Sequence, residues 1–304
     1  MNRLKFRWTS VAWSAAYLLL LLSLLTPFLV LTSLFLIVPA VVLFTTLNTR
    51  QFLAHILPVW IIVGFIHPVF VLLAIYMIIP ALVMGRWYKK KRPATATLMA
   101  GTITILAEFL LLLLLGTTVF QFDLTDYVNN VLQMTNDIGA SNPLLSDMVW
   151  TTEQVRQLSV LTVQMIPMTL ILSSFMMAVI THSVTRPILN SIGYAVPKMR
   201  PAREWRLPRS IIWYYLIGIV IQMFSYNAQT GFMAMIAGNL LPLLRICFMI
   251  QAIGFLFFLA YEKKWSKAVP LLLAVPIILY PPLRIIGIVD LAFPLRELVT
   301  KSKR

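Results

Sequence analysis

Acidic residues and cysteine are both scarce in this chain. Its 304 residues hold 10 Asp and Glu against 25 Lys and Arg, and Cys247 is the one cysteine. A lone cysteine excludes an intrachain disulfide framework, a zinc cluster and a CxxC redox pair. Charge of either sign makes up 12% of the sequence, where soluble domains carry about 25%, so a soluble globule is excluded too. The three histidines, His55, His67 and His182, are scattered without any metal-ligand spacing, and each is expected at a membrane interface rather than on a metal. There is no phosphate-binding glycine loop, nucleophile elbow or pair of catalytic carboxylates, so no enzymatic activity, metal or cofactor is expected.

What the chain does have is apolar length. Hydrophobic residues make up 60% of it, gathered in long runs between short basic clusters. Only helices satisfy their own backbone in lipid without closing a barrel, and the uninterrupted runs exclude the alternation of barrel strands. The expectation is an all-α polytopic helical bundle integral to the membrane, one domain over 1–304 with about 8 to 10 spans. The net charge of +15 falls in these clusters, not on one continuous face. That pattern sets topology against an anionic bilayer and argues against a nucleic-acid partner.

Lys and Arg are retained on the cytosolic side during insertion, which orients the chain. Arg3, Lys5 and Arg7 place the N-terminus inside, with no signal-peptide cleavage pattern after them. The apolar run 9–48 holds two spans with a turn near Thr26 and Pro27, and 51–85 holds two more with a turn at His67 and Pro68. Residues 94–120 form the fifth span. Segment 121–157 has Asp123, Asp126, Asp137, Asp147 and Glu153 against one base, Arg156, which places it outside. Its apolar residues Leu124, Tyr127 or Val128, Val131 and Ile138 recur at helical spacing, predicting an amphipathic outer helix stopped at Gly139, with a second starting at Pro143.

The sixth span, 158–184, leads into a basic connector, 186–209, and the seventh follows at 210–226. A neutral turn from Asn227 leads to the eighth, 232–260. Residues 268–292 are expected to fold as a hairpin broken at Tyr280, Pro281 and Pro282, which returns the C-terminus to the cytosol.

Four residues are candidates for ligand binding: Glu108, Arg245, Asn239 and Asp290. An ionisable group at mid-membrane costs at least about 2.5 to 3.5 kcal/mol on insertion scales and therefore needs a reason. Glu108 is the sharpest case, and Arg245, at similar depth in the eighth span, is its expected partner. Arg284 and Asp290 lie six residues apart in the broken C-terminal segment, and at such a break freed carbonyls line sites in discontinuous transporter helices. For partner docking the candidates are Ala12 and Ala16, a small-xxx-small pair that admits another helix closely, and the connector arginines Arg200, Arg203, Arg206 and Arg209.

The runs LPRSIIWYYLIG at 207–218 and GIVDLAFPLR at 287–296 resemble the YybS-like family of predicted bacterial membrane proteins, a family of undefined function. The resemblance extends over nearly the whole chain in span order. That family is distantly similar to the substrate-binding subunits of energy-coupling-factor transporters, in which a small-residue pattern on the first helix docks the membrane coupling subunit. The resemblance implies that role for Ala12 and Ala16 and a place in the bacterial cytoplasmic membrane. Two readings follow. One is a solute-binding or transport-associated subunit in which Glu108 and Arg245 orient a small polar solute and a coupling subunit meets Ala12. The other is an interaction scaffold whose connector docks a cytosolic partner or anionic lipid.

Overall fold

The computed structural model describes residues 3–141, 149–225, 231–266 and 268–301. The expected start of an outer helix at Pro143 and the turn opening at Asn227 lie outside these residues. The described residues are helical, with no strand among them. Among the described residues, six helices are long and apolar enough to cross a membrane, and seven if a bent C-terminal pair counts as one span. The first and seventh expected spans are represented by shorter apolar helices, Trp8–Ser23 and Ser210–Phe224, against the roughly 20 residues that a straight crossing needs.

The chain sorts into two compact units, residues 1–122 with 170–199, and residues 123–169 with 200–304. Unit 1 is built from α1 (Arg3–Ser23), α2 (Leu29–Ser33), α3 (Ile37–Thr46), α4 (Thr49–Ile66), α5 (Pro68–Lys89), α6 (Ala94–Thr118) and most of α9 (Ile166–Ser191). Its centre is α3, which is buried from Ile37 to Thr45. A helix that is apolar all round belongs in a core, and the other helices of the unit supply the cover. Tyr17 on α1 is fully buried and donates from its hydroxyl to the Ala74 carbonyl of α5 at 3.3 Å.

The turns fall where the breakers stand. Thr26 accepts from the Phe28 N–H and donates to the Ser23 carbonyl, closing the turn after α1. His67 is extended, with φ −159°, and its Nδ1 accepts from the Val69 N–H to cap α5, while Pro68 occupies the first helical turn. Proline is suited to that position because its missing N–H would be unpaired there in any case.

Unit 2 holds α7 (Leu124–Ser141), α8 (Thr152–Gln164), α10 (Ser210–Phe224), α11 (Phe232–Glu262), α12 (Ala268–Leu279), α13 (Ile285–Ala292) and α14 (Leu295–Lys301). Gly139 does not stop α7, which runs on to Ser141. A glycine mid-helix costs only about 1 kcal/mol relative to alanine, too little to end a helix without a residue beyond it that cannot continue. The apolar stripe Tyr127, Val131, Met134 and Ile138 is exposed along α7. α8 opens with a capping box, in which Thr151 accepts from the Gln154 N–H and Gln154 accepts from the Thr151 N–H.

The long α11 is the axis of this unit. The chain bends by 117° between Ala268–Leu279 and Pro281–Ala292, at the Tyr280–Pro281–Pro282 break that the sequence marks. α13 then lies against α11 at backbone contact. A Cβ placed on Gly287 would come within 2.0 Å of the Phe248 carbonyl oxygen, so only glycine fits. Gly287→Ala is therefore expected to lower stability by at least about 2 kcal/mol, as overpacking does. Gly116→Ala, which would meet nothing within 4 Å inside α6, should raise it by up to about 1 kcal/mol. Thermal unfolding in detergent of the two variants checks this.

Candidate functional site

Glu108 sits on the face of α6 that carries Ala94, Thr97, Leu98, Gly101 and Ile105. The 3 and 4 spacing makes this one stripe, and it is the stripe turned into unit 1. Glu108 is 5% exposed, and neither carboxylate oxygen has a hydrogen-bond partner. Tyr76 on α5 lies within its electrostatic reach, and the buried Tyr76 hydroxyl is also without a partner. Thr104 offers no help, since its hydroxyl donates to Ala100. Buried polar groups are nearly always paired, so an unpaired one marks a functional group, a water or an ion.

Arg245, the expected partner, belongs to the other unit. It is exposed on α11, and the ion pairs among the described residues are Arg156–Glu153 and Arg296–Asp290.

Asn239 has its amide fully used. Its Oδ1 accepts from the Met168 N–H at 2.8 Å, and its Nδ2 donates to the Gln164 carbonyl at 2.7 Å and to the Met235 carbonyl at 2.8 Å. Gln164 and Met168 are four apart, the spacing at which a helix bonds to itself. Asn239 is thus inserted into the ladder where α8 gives way to α9, beside Pro167. An inserted side chain is one of the recognised causes of a helix kink.

Asp290 is fully buried and equally committed. Arg296 grips its carboxylate, with Nη2 at 2.8 Å from Oδ2 and Nε at 3.1 Å from Oδ1, and the Gln251 amide donates to Oδ2. The same guanidinium donates from Nη1 to the Arg203 carbonyl at 3.0 Å and from Nη2 to the Trp205 carbonyl at 2.9 Å. Gln251 Oε1 in turn accepts from the Leu207 N–H at 2.9 Å. Arg284, the basic residue flanking the proline break, instead points to the Ile278 carbonyl. Arg296 stands as far after Asp290 as Arg284 stands before it. The helix break at Phe293, extended ahead of Pro294, is what lets Arg296 fold back. That proline was the signal available in the sequence.

These bonds clamp the connector backbone from Arg203 to Leu207 onto α11 and α13. Its side chains divide accordingly. Arg203 stacks on Tyr261, 3.9 Å from the ring centroid, while Arg200, Arg206 and Arg209 are exposed. On α1, Ala12 is exposed and Ala16 half-buried. His182 packs inside unit 1. It is 2% exposed, with Nδ1 at 2.8 Å from the Tyr88 hydroxyl, because α9 turns it inward with Thr181 and Thr185. His55 meets the Ser14 hydroxyl at 2.9 Å.

Removing one partner from a buried ion pair leaves an uncompensated charge and costs about 3 to 5 kcal/mol, while replacing both with apolar residues costs far less. Arg296→Met alone is expected to destabilise unit 2 by about that amount. Arg296→Met with Asp290→Leu should recover much of the loss. Limited proteolysis of the connector reads the same clamp, with faster cleavage near Trp205 in the single variant.

A family profile described as "Predicted membrane protein (DUF2232)" matches residues 14–291. The chain is 24% identical over 230 residues to a protein described as "Uncharacterized protein YybS" from Bacillus subtilis (strain 168), covering 71% of this chain and 72% of that one. No solved structure matches.

Proposed function

Because the chain belongs to the family of predicted membrane proteins described as DUF2232, whose activity is undefined, we propose from its own residues that it is a solute-binding or transport-associated membrane subunit. The observation that carries this is Glu108, a buried carboxylate with both oxygens unpartnered inside an apolar span. A structural ion pair would have supplied a cation, as Arg296 does for Asp290. A carboxylate left without one is a site for something that comes and goes. Arg245 is the second polar group at this depth in the sequence, and Asp290 and Asn239 act as positioning residues for the helices of unit 2.

The exposed Ala12 on α1 is the face offered to a membrane coupling subunit, in keeping with the resemblance to energy-coupling-factor components. Energy for transport then comes from that other chain. A second reading is favoured by the connector. Its backbone is clamped while Arg200, Arg206 and Arg209 stay exposed, a rigid basic surface suited to a cytosolic partner or anionic lipid.

Native mass spectrometry of the gently solubilised protein separates the two. A stoichiometric small polar solute that is lost in Glu108→Gln is the expected result. A protein or lipid partner without a solute, lost when Arg200, Arg206 and Arg209 are replaced by Gln but kept in Glu108→Gln, would establish the scaffold instead. Ala12→Trp is expected to abolish co-purification of a coupling subunit without changing thermal stability.

A further inference from the structure

We infer that Glu108 binds a proton that it exchanges with the basic end of unit 1 by way of the Tyr88–His182 pair. This rests on the reading of Glu108 as the functional carboxylate of unit 1, and it adds a proton as the ion that this carboxylate exchanges.

Depth along the unit can be read from contacts. A Cβ on Gly101 of α6 would come within 2.8 Å of Met84 Sδ on α5 and 3.4 Å of Ala178 Cβ on α9, so these three residues lie at one level. Four residues further along both α5 and α9, Tyr88 and His182 meet at 2.8 Å. These two helices therefore run in the same direction, and the pair lies about 6 Å from the Gly101 level at 1.5 Å per residue. Glu108, seven residues on along α6, and Tyr76, eight residues back along α5, reach about 10 to 12 Å the other way. The short turn over 90–93 makes α6 run opposite to α5, so both residues lie toward the same end.

Unit 1 thus carries two polar compartments with an apolar layer between them. One holds the Glu108 carboxylate and the Tyr76 hydroxyl. The other holds Thr181 Oγ1, His182 Nε2, Thr185 Oγ1 and Arg186 Nε, each buried and without a partner. Met84, Gly101 and Ala178 are the layer.

The ionisable groups of the three helices are few. On α6 there is Glu108 alone; on α5 there are Tyr76, Arg86, Tyr88 and Lys89; on α9 there are His182 and Arg186. Lys89 is occupied with the Leu47 carbonyl and the Phe44 ring. No cation on these helices stands at the Glu108 level. A proton is the ligand that neutralises a carboxylate while needing no cavity.

The Glu108 carboxylate takes one proton from hydronium and becomes a neutral acid, leaving water, so that no charge remains on a group that has no partner. Between the compartments the proton travels on water that enters when the Met84 side chain swings from the layer. His182 takes a proton at Nε2 from the basic end and passes it on, with Tyr88 holding the ring through Nδ1. A flexible thioether packed against a glycine is suited to that movement.

The test is labelling of the wild-type protein in lipid vesicles with dicyclohexylcarbodiimide, which attacks protonated carboxyls in apolar surroundings, read by peptide mass spectrometry. The expected result is one adduct per chain on the α6 peptide at acid pH. It should fall at least tenfold toward alkaline pH and stay unchanged by added sodium. Asp290, held by Arg296, should remain unlabelled. No adduct on Glu108, or one indifferent to pH, overturns the proposal, and protection by sodium at fixed pH replaces the proton with a sodium ion. In Tyr88→Phe and His182→Gln the labelling should respond to a pH jump at least tenfold more slowly; an unchanged rate overturns the route. A solute found by native mass spectrometry without labelling leaves the solute-binding reading intact. Labelling without any solute does the reverse.

Discussion

Hydrocarbon offers a polar group no partner, so every N–H, carbonyl and charge carried into it must be answered by another part of the same chain. That constraint makes the backbone helical and decides where the few polar side chains go. Asn239 completes a helix ladder that Pro167 interrupts. Asp290 is answered by three hydrogen bonds from Arg296 and one from Gln251 in the same network. Against those two, Glu108 is conspicuous for having nothing.

The contrast between Asp290 and Glu108 carries the functional argument. Both are buried carboxylates on apolar helices, and both stand out in a chain with so few acids. One is neutralised within 3 Å by a guanidinium that also grips two backbone carbonyls. Its work is to fasten the connector to α11 and α13. The other lies beside a tyrosine hydroxyl that is itself unpaired, and a fold that needed only rigidity had no reason to keep it.

The helical class, the turns at Thr26, His67 and Pro281, and the candidacy of Glu108 were legible in the sequence. Each depends on local composition, as apolar length, proline position or a charge within a run. What could not be read were the pairings, because those depend on which helices become neighbours. Arg284 and Arg296 are equally far from Asp290 along the chain, and only the chain reversal at Phe293 and Pro294 decides between them. Asn239 looked like a ligand-binding amide since nothing local reveals that its partners lie at Gln164 and Met168. His182 looked interfacial since its place near a basic cluster does not tell which way α9 turns it. Gly139 cannot end α7 by itself, and the helix continues to Ser141.

The Asn239 insertion also has a consequence in time. Gln164 is made 75 residues before the side chain that answers its carbonyl. At roughly 5 to 20 residues per second for synthesis, the break between α8 and α9 stands open for about 4 to 15 s on the ribosome. During that interval the nascent chain presents an unbonded peptide group at a proline kink, in a segment already due to enter the bilayer. The insertion machinery therefore handles the start of α9 before the break at Pro167 has been fastened, and the Gln164 carbonyl gains its side-chain partner only when α11 arrives.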